Sequence, residues 1–165
     1  MKRDLNNSID FLISEYSQLV FSIAMMHTKN RSDADDVFQN VFLACYQKNI
    51  SFESEEHQKA WLIKTTLNQS KKINNSIWKK RTTELDENLT SQSSVFSTLD
   101  QQLVFDALCN IKEKYRIVLH LFYFEQLSIL EITKILNRSE SAIKVQLSRG
   151  RAMLKELLKG DFEDE

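Results

Sequence analysis

Residues 128–158 read SILEITKILNRSESAIKVQLSRGRAMLKELL, and the spacing of apolar and polar residues in this stretch decides the fold. Ser128 followed three residues later by Glu131 forms a capping box, in which each side chain satisfies a first-turn N–H that the helix itself leaves open. Ile132, Ile135 and Leu136 return at helical steps on one face. Asn137 tolerates the left-handed backbone that ends a helix, and Ser139 is placed to cap the next one. The pattern predicts a short helix, a tight turn and a longer helix from about residue 139 to about 158, which is the helix-turn-helix arrangement. On the second helix Ile143, Leu147 and Leu154 take the core side. That leaves Lys144, Val145, Ser148, Arg149 and Arg151 on the outer arc, where a DNA major groove accepts a helix and its cationic side chains. A plain helical hairpin with a basic face shares this pattern, but three cations on one outward arc favour the nucleic-acid reading.

Upstream, the same period continues. Leu103, Ala107, Leu108 and Ile111 predict one helix, and Tyr115, Val118, Leu119 and Phe122 a second. Residues 82–99, TTELDENLTSQSSVFSTL, hold three acids, no base and little periodicity, which reads as a linker. Before it, Ile9, Leu12, Ile13, Tyr16, Val20, Ile23 and Ala24 predict a first helix over residues 9–27. Ser32 with Asp35 reads as a variant capping box for a second helix through Ala34, Val37, Phe38, Val41, Phe42 and Cys45. A third follows from about residue 57 to 78 through Ala60, Ile63, Leu67, Ile73 and Ile77, with Trp61 on its apolar face. The expected fold class is all-α: two small helical domains, residues 1–81 and 100–160, joined by an acidic linker over residues 82–99 and followed by an acidic tail, DFEDE, at 161–165.

Composition agrees and excludes much else. In 165 residues there are two glycines and no proline, which removes P-loop, dinucleotide-fingerprint and collagen-like readings; hydrophobic content of 42% suffices for a core. Cys45 and Cys109 stand alone, and His27, His57 and His120 are scattered, so no disulfide framework, metal site, cofactor site or catalytic constellation is expected. No stretch of about 18 uncharged apolar residues occurs, and the start, MKRDLNNSIDF, lacks the core of a signal peptide, so a cytoplasmic location without membrane insertion is expected. The net charge of −1 hides two basic strips: Lys64, Lys71, Lys72, Lys79, Lys80 and Arg81 with no acid between them, and Arg138, Lys144, Arg149, Arg151, Lys155 and Lys159 against two acids. Taken singly, either strip is equally a solvated helix face.

Two separated motifs together resemble the bacterial sigma-70 family in its extracytoplasmic-function (ECF) branch. Residues 113–158, EKYRIVLHLFYFEQLSILEITKILNRSESAIKVQLSRGRAMLKELL, are similar to the family's region 4, EKYREVLxLRYxEGLSYEEIAxxLGxSxGTVKSRLxRARxxL. Residues 32–47, SDADDVFQNVFLACYQ, and 51–69, SFESEEHQKAWLIKTTLNQ, are similar to the region 2 patterns DAEDxxQExFLxxW and FRGESxFxTWLxxIAxN. The order and spacing are the family's over nearly the whole chain. Departures are Asn137 for Gly, Gln146 for Arg, Ala142 for Thr, Gly150 for Ala, Ile111-Lys112 for Leu-Pro, Gln58 for an aromatic and Lys72 for Asp. Gln146 and Val145 mean that the promoter sequence does not carry over from relatives.

The resemblance implies a transcription initiation factor without enzymatic activity, whose partners are core RNA polymerase, promoter DNA and an anti-sigma factor. The helix opened by the DAED-like motif then docks on the polymerase clamp coiled coil through Asp36, Gln39, Asn40 and Leu43. Phe52, Lys64, Asn68, Lys71 and Lys72 then serve the minus-10 element, with Asn68 at the pocket for an unstacked base and the lysines on the backbone. Lys144, Val145, Ser148, Arg149 and Arg151 then face the minus-35 element, and part of the apolar set around Tyr115 meets the polymerase flap. The alternative is a stand-alone LuxR-like regulator, with the same helix-turn-helix and an N-terminal domain for dimerisation or sensing.

Overall fold

The computed structural model of the chain describes residues 7–80 and 99–162. The predicted linker, apart from Leu99, and residues 163–165 of the acidic tail lie outside the described residues, as do Arg81 and the side chains of Trp78, Lys79 and Lys80. Among the described residues there is no strand. The chain divides into two compact units, Met1–Thr90 and Ser91–Glu165.

The first unit contains α1 (Ile9–Thr28), α2 (Arg31–Lys48) and α3 (Glu55–Lys80), each packed on the other two. Ser8 caps α1, accepting from Phe11 N at 3.3 Å, and Lys29 ends it in the left-handed region, at φ 57°. α1 is 20 residues long and apolar enough by composition to span a bilayer, but Leu12, Val20, Ile23, Ala24 and Met26 are buried against α2 and α3. The predicted cap at Ser32 is corrected. Asn30 takes that role, its Oδ1 accepting from Asp33 N at 3.0 Å, so that α2 starts two residues early. At the corner before it, Thr28 Oγ1 lies 2.8 Å from Ala24 O, to which it donates, and 3.1 Å from Asn30 O, so that the end of α1 and the cap of α2 meet at one side chain. α3 likewise begins at Glu55, because Ser54 Oγ accepts from His57 N at 3.0 Å. Thr66 and Ser70 are buried in α3 at no hydrogen-bonding cost, each donating to the carbonyl four residues back. Asn74 of α3 donates to the His27 carbonyl at 3.1 Å and so closes the end of α1.

The second unit contains α4 (Leu99–Cys109), α5 (Glu113–Leu119), a π-turn (His120–Phe124), α6 (Ile129–Leu136) and α7 (Glu140–Phe162). α7 runs along α4, α5 and α6 and is their common wall. The helix predicted through Phe122 does not continue as α: from His120 it widens, with Glu125 N donating to His120 O at 3.2 Å. The widening keeps His120 and Leu121 inward and sends Tyr123 out. Gly150 is what α7 needs to approach α5 there, since a Cβ would stand 2.9 Å from Leu119 Cδ1.

Candidate nucleic-acid interface

The helix-turn-helix forms from the side chains that its sequence supplies. Ser128 Oγ accepts from Glu131 N and Ser139 Oγ from Ala142 N, both at 3.1 Å, and Asn137 adopts φ 54°. Ile132, Ile135, Ile143 and Leu147 are buried between α6 and α7. With that face committed, Lys144, Val145, Ser148 and Arg149 share the exposed arc, and Val145 is 45% exposed. Lys144 Nζ pairs with Glu140 Oε1 at 3.1 Å, one turn back.

Two side chains depart from this arc. Arg151, expected with the others, is turned towards the π-turn, where its Nη1 donates to Tyr123 Oη at 3.2 Å. Gln146 is half-buried on the opposite flank, its Oε1 accepting from Arg138 Nη1 at 2.9 Å. The same Nη1 donates to Lys114 O at 3.3 Å, so the turn residue ties α7 to the start of α5. Tyr115, read from sequence as core, is only 6% exposed, and Lys114 Nζ stands over its ring at 4.9 Å from the centroid.

Beside Arg151 the second unit has an apolar groove of about 590 Å³, floored by Val104, Leu108, Leu119, Leu154 and Leu158. Lys155 and Lys159 complete its cationic rim.

In the first unit, Val37, Val41 and Cys45 are buried as one seam of α2, and burial pushes the Cys45 thiol up. The other side of α2 presents Asp36, Gln39, Asn40 and Leu43 to solvent, all of the expected set. Leu43 is 52% exposed, and Tyr46, which the sequence reading passed over, is 68% exposed. Helical spacing finds Tyr46: it stands three residues beyond Leu43 and seven beyond Gln39.

On α3, Lys64, Asn68, Lys71 and Lys72 are exposed at steps of four, three and one, a single stripe. Phe52 is not on it. Its ring is 4% exposed, with His57 edge-on at 5.3 Å and Trp61 at 5.7 Å. It therefore anchors the loop before α3 from inside and is not placed to touch DNA. The loop is fixed further where His57 Nδ1 accepts from Glu53 N at 3.2 Å. Trp61, expected in the core, is half-buried. Gln58, at a position where relatives carry an aromatic, is fully buried and accepts from Tyr16 Oη while donating to Asn7 Oδ1 at 2.8 Å. Burial, with Glu55 and Glu15 nearby, raises the Tyr16 phenol. Among the described residues no group of three or more His, Cys, Asp or Glu side chains is placed to hold a metal ion.

A helical unit whose α2 exposes a mixed polar and apolar face, and a second unit with a helix-turn-helix, give the architecture of a two-unit DNA-binding protein. Comparison with known proteins gives the family. Residues 12–73 match sigma-70 region 2, and residues 101–154 match sigma-70 region 4. The chain is similar to the ECF RNA polymerase sigma factor SigM of Bacillus subtilis, with 29% identity over 166 residues covering 96% of this chain and 99% of that protein. It is also similar to the ECF RNA polymerase sigma factor SigW of the same organism, with 26% identity over 167 residues covering 90% and 87%. In fold it resembles the sigma factor RpoE from Bartonella quintana, solved with the anti-sigma factor NepR, at a TM-score of 0.73 and 23% identity over 92% of this chain and 98% of that one. The chain belongs to the sigma-70 family, in its ECF branch, and is a transcription initiation factor. The stand-alone regulator is not favoured, because the residues it would assign to dimerisation or sensing match region 2.

Proposed function

We propose that the three exposed surfaces divide the work of initiation. The α2 face of Asp36, Gln39, Asn40, Leu43 and Tyr46 docks on the clamp coiled coil of core RNA polymerase. The α3 stripe of Lys64, Asn68, Lys71 and Lys72 holds the melted minus-10 strand, cations on the backbone and Asn68 on a base. The α7 arc of Lys144, Val145, Ser148 and Arg149 reads the minus-35 element in the major groove. Residues 1–81 and 100–160 act as the two binding domains, with residues 82–99 as the tether, in the cytoplasm where polymerase and promoter lie.

The observation that carries this reading is the exposed pair Leu43 and Tyr46 within a polar helix face. Apolar anchors ringed by polar groups are what a docking surface needs, and the match of these residues to region 2 supports polymerase as the partner. The apolar groove with Arg151, Lys155 and Lys159 on its rim suits an amphipathic helix with acidic flanks, which we assign to the polymerase flap or, in the inhibited state, to an anti-sigma factor. Core polymerase with this chain should initiate from genomic fragments that core alone ignores. Absence of any such initiation, with folded chain and active core, would refute the proposal.

A further inference from the structure

We propose that Arg138, the turn residue of the helix-turn-helix, binds a DNA phosphate beside the minus-35 surface, and that Gln146 is the positioning residue that holds its guanidinium there. This rests on the reading of α7 as the minus-35 helix. Arg138 Nη1 donates to Gln146 Oε1 at 2.9 Å and to Lys114 O at 3.3 Å. Both acceptors are neutral oxygens, so the side chain is fixed in place while its charge is not offset. Among the described residues no carboxylate pairs with Arg138, and no group accepts from its Nη2 or Nε. Those donors of the guanidinium fork are left for an acceptor from outside the fold.

In a helix-turn-helix the first residues of the second helix enter the major groove, so the turn before them passes the groove wall, where the phosphates lie. Arg138 is in that turn: Asn137 ends α6 at φ 54°, Ser139 caps α7 through Ala142 N, and Arg138 stands between them. Gln146 is three residues before Arg149 and hence its neighbour on the helix surface. The guanidinium held by Gln146 therefore lies along the Arg149 edge of the exposed arc, away from the flank where Arg151 is turned to Tyr123. Gln146 gives up base reading in this arrangement, because the oxygen that a glutamine offers to a base edge is committed to Arg138. An arginine already held also loses less rotamer freedom on binding than one that swings in solvent.

The test uses reconstituted holoenzyme and a promoter series with every single-base change in the upstream element, read as promoter affinity against salt. Arg138→Gln keeps an amide donor for the ties to α5 and α7 and removes the charge. It should lower the log–log salt slope by about 0.9 and cost about fivefold in affinity at ~0.15 M salt, with base preference unchanged. Because the side chains at 138 and 146 are in contact, adding Gln146→Arg to that variant returns a cation to the same place and should restore the slope. Such recovery also separates the loss of charge from a loss of folding, since it does not rebuild the original ties. Gln146→Ala alone should keep the slope and weaken binding about two- to fivefold, the cost of ordering one released side chain, and should do nothing in the Arg138→Gln background. An unchanged slope in Arg138→Gln overturns the proposal, as does a lowered slope that Gln146→Arg leaves unrepaired. Relaxed preference at a single base in Arg138→Gln also overturns it, by placing the guanidinium on a base edge. Equal losses from Gln146→Ala in both backgrounds remove Gln146 as the positioning residue. Failure of the wild-type holoenzyme to initiate anywhere is a different result and refutes the promoter reading beneath it.

Discussion

Replacing Tyr46 by alanine should separate docking from folding. The ring is 68% exposed, so its removal takes little from the core, and surface substitutions of this kind usually shift stability by no more than about 0.5 kcal/mol. In a docked complex the same ring would be covered. An aromatic side chain buries ~150–250 Å² when enclosed, so covering the open two-thirds of Tyr46 removes ~100–170 Å² from water, worth ~2.5–4 kcal/mol at ~25 cal/mol/Å². Ordering the side chain costs ~0.5–1.5 kcal/mol of this. About 2 kcal/mol remains, which is about thirtyfold in Kd. Titrating labelled chain with core polymerase, alongside thermal unfolding of the chain alone, reads both quantities. Unchanged affinity would leave the α2 face to solvent. A thirtyfold loss accompanied by a large fall in thermal midpoint would place Tyr46 in the fold instead.

Lys144→Ala should weaken promoter binding and lower its log–log salt slope by about 0.9 if Lys144 sits on a phosphate; an unchanged slope with relaxed base preference would move it to a base edge. Asn68→Ala should reduce the open complex about tenfold, the cost of one hydrogen bond to an unstacked base, with initial promoter binding retained; permanganate reactivity of unpaired thymines reads this, and normal opening would remove Asn68 from the pocket. His120 is 1% exposed, and burial pushes its pKa down to about 3 from 6.5, with the Glu125 carboxylate 3.7 Å from its Nε2. The unfolded chain therefore takes up the proton first as pH falls. Stability from this group is present in full above about 6.5 and is lost at on the order of 1.4 kcal/mol per pH unit towards 3. Thermal midpoints across that window should fall for wild type and less steeply for His120→Gln, and parallel curves would refute the assignment. Cys45, buried with a raised thiol pKa, should alkylate slowly at pH 7 in native protein and fast after unfolding; rapid native labelling would mean that the α2 seam opens.

What was legible in the sequence was local chemistry. Ser128, Asn137 and Ser139 act at the ends of α6 and α7 as their spacing implied, because a cap needs only neighbours within four residues. The α2 set came from the family resemblance, and helical spacing puts Asp36, Gln39, Asn40 and Leu43 away from the Val37, Val41 and Cys45 seam. The remainder depended on contacts that the helical period does not encode. Asn30, not Ser32, caps α2, at a corner where Thr28 from the end of α1 also meets it. Phe52 left the DNA-facing set because Trp61 and His57, nine and five residues away, close over its ring. Arg151 left the reading arc because the π-turn brings Tyr123 within 3.2 Å, and nothing in the 3.6-residue period announces a π-turn.

The charge distribution predicts that this chain binds promoter DNA weakly without polymerase. The net charge of −1 gives no long-range attraction to DNA, so binding rests on the two small stripes. On α7, Glu140 lies 3.1 Å from Lys144 and offsets part of its field, and Arg151 is turned to Tyr123. On α3 the stripe offers Lys64, Lys71 and Lys72. Each stripe thus neutralises only a few phosphates, and at physiological salt a few contacts give weak affinity. Joining two weak contacts restores strength only when the second becomes intramolecular with the first. Eighteen residues span at most roughly 60 Å when fully extended at about 3.3 Å each, which is an upper limit on chain length and fixes no separation. A scaffold that grips the α2 face and the groove of the second unit would fix that separation to the spacing of the two promoter elements. Specificity would then be a property of the assembled enzyme, and tight, sequence-specific promoter binding by the chain alone in a mobility-shift assay would refute this.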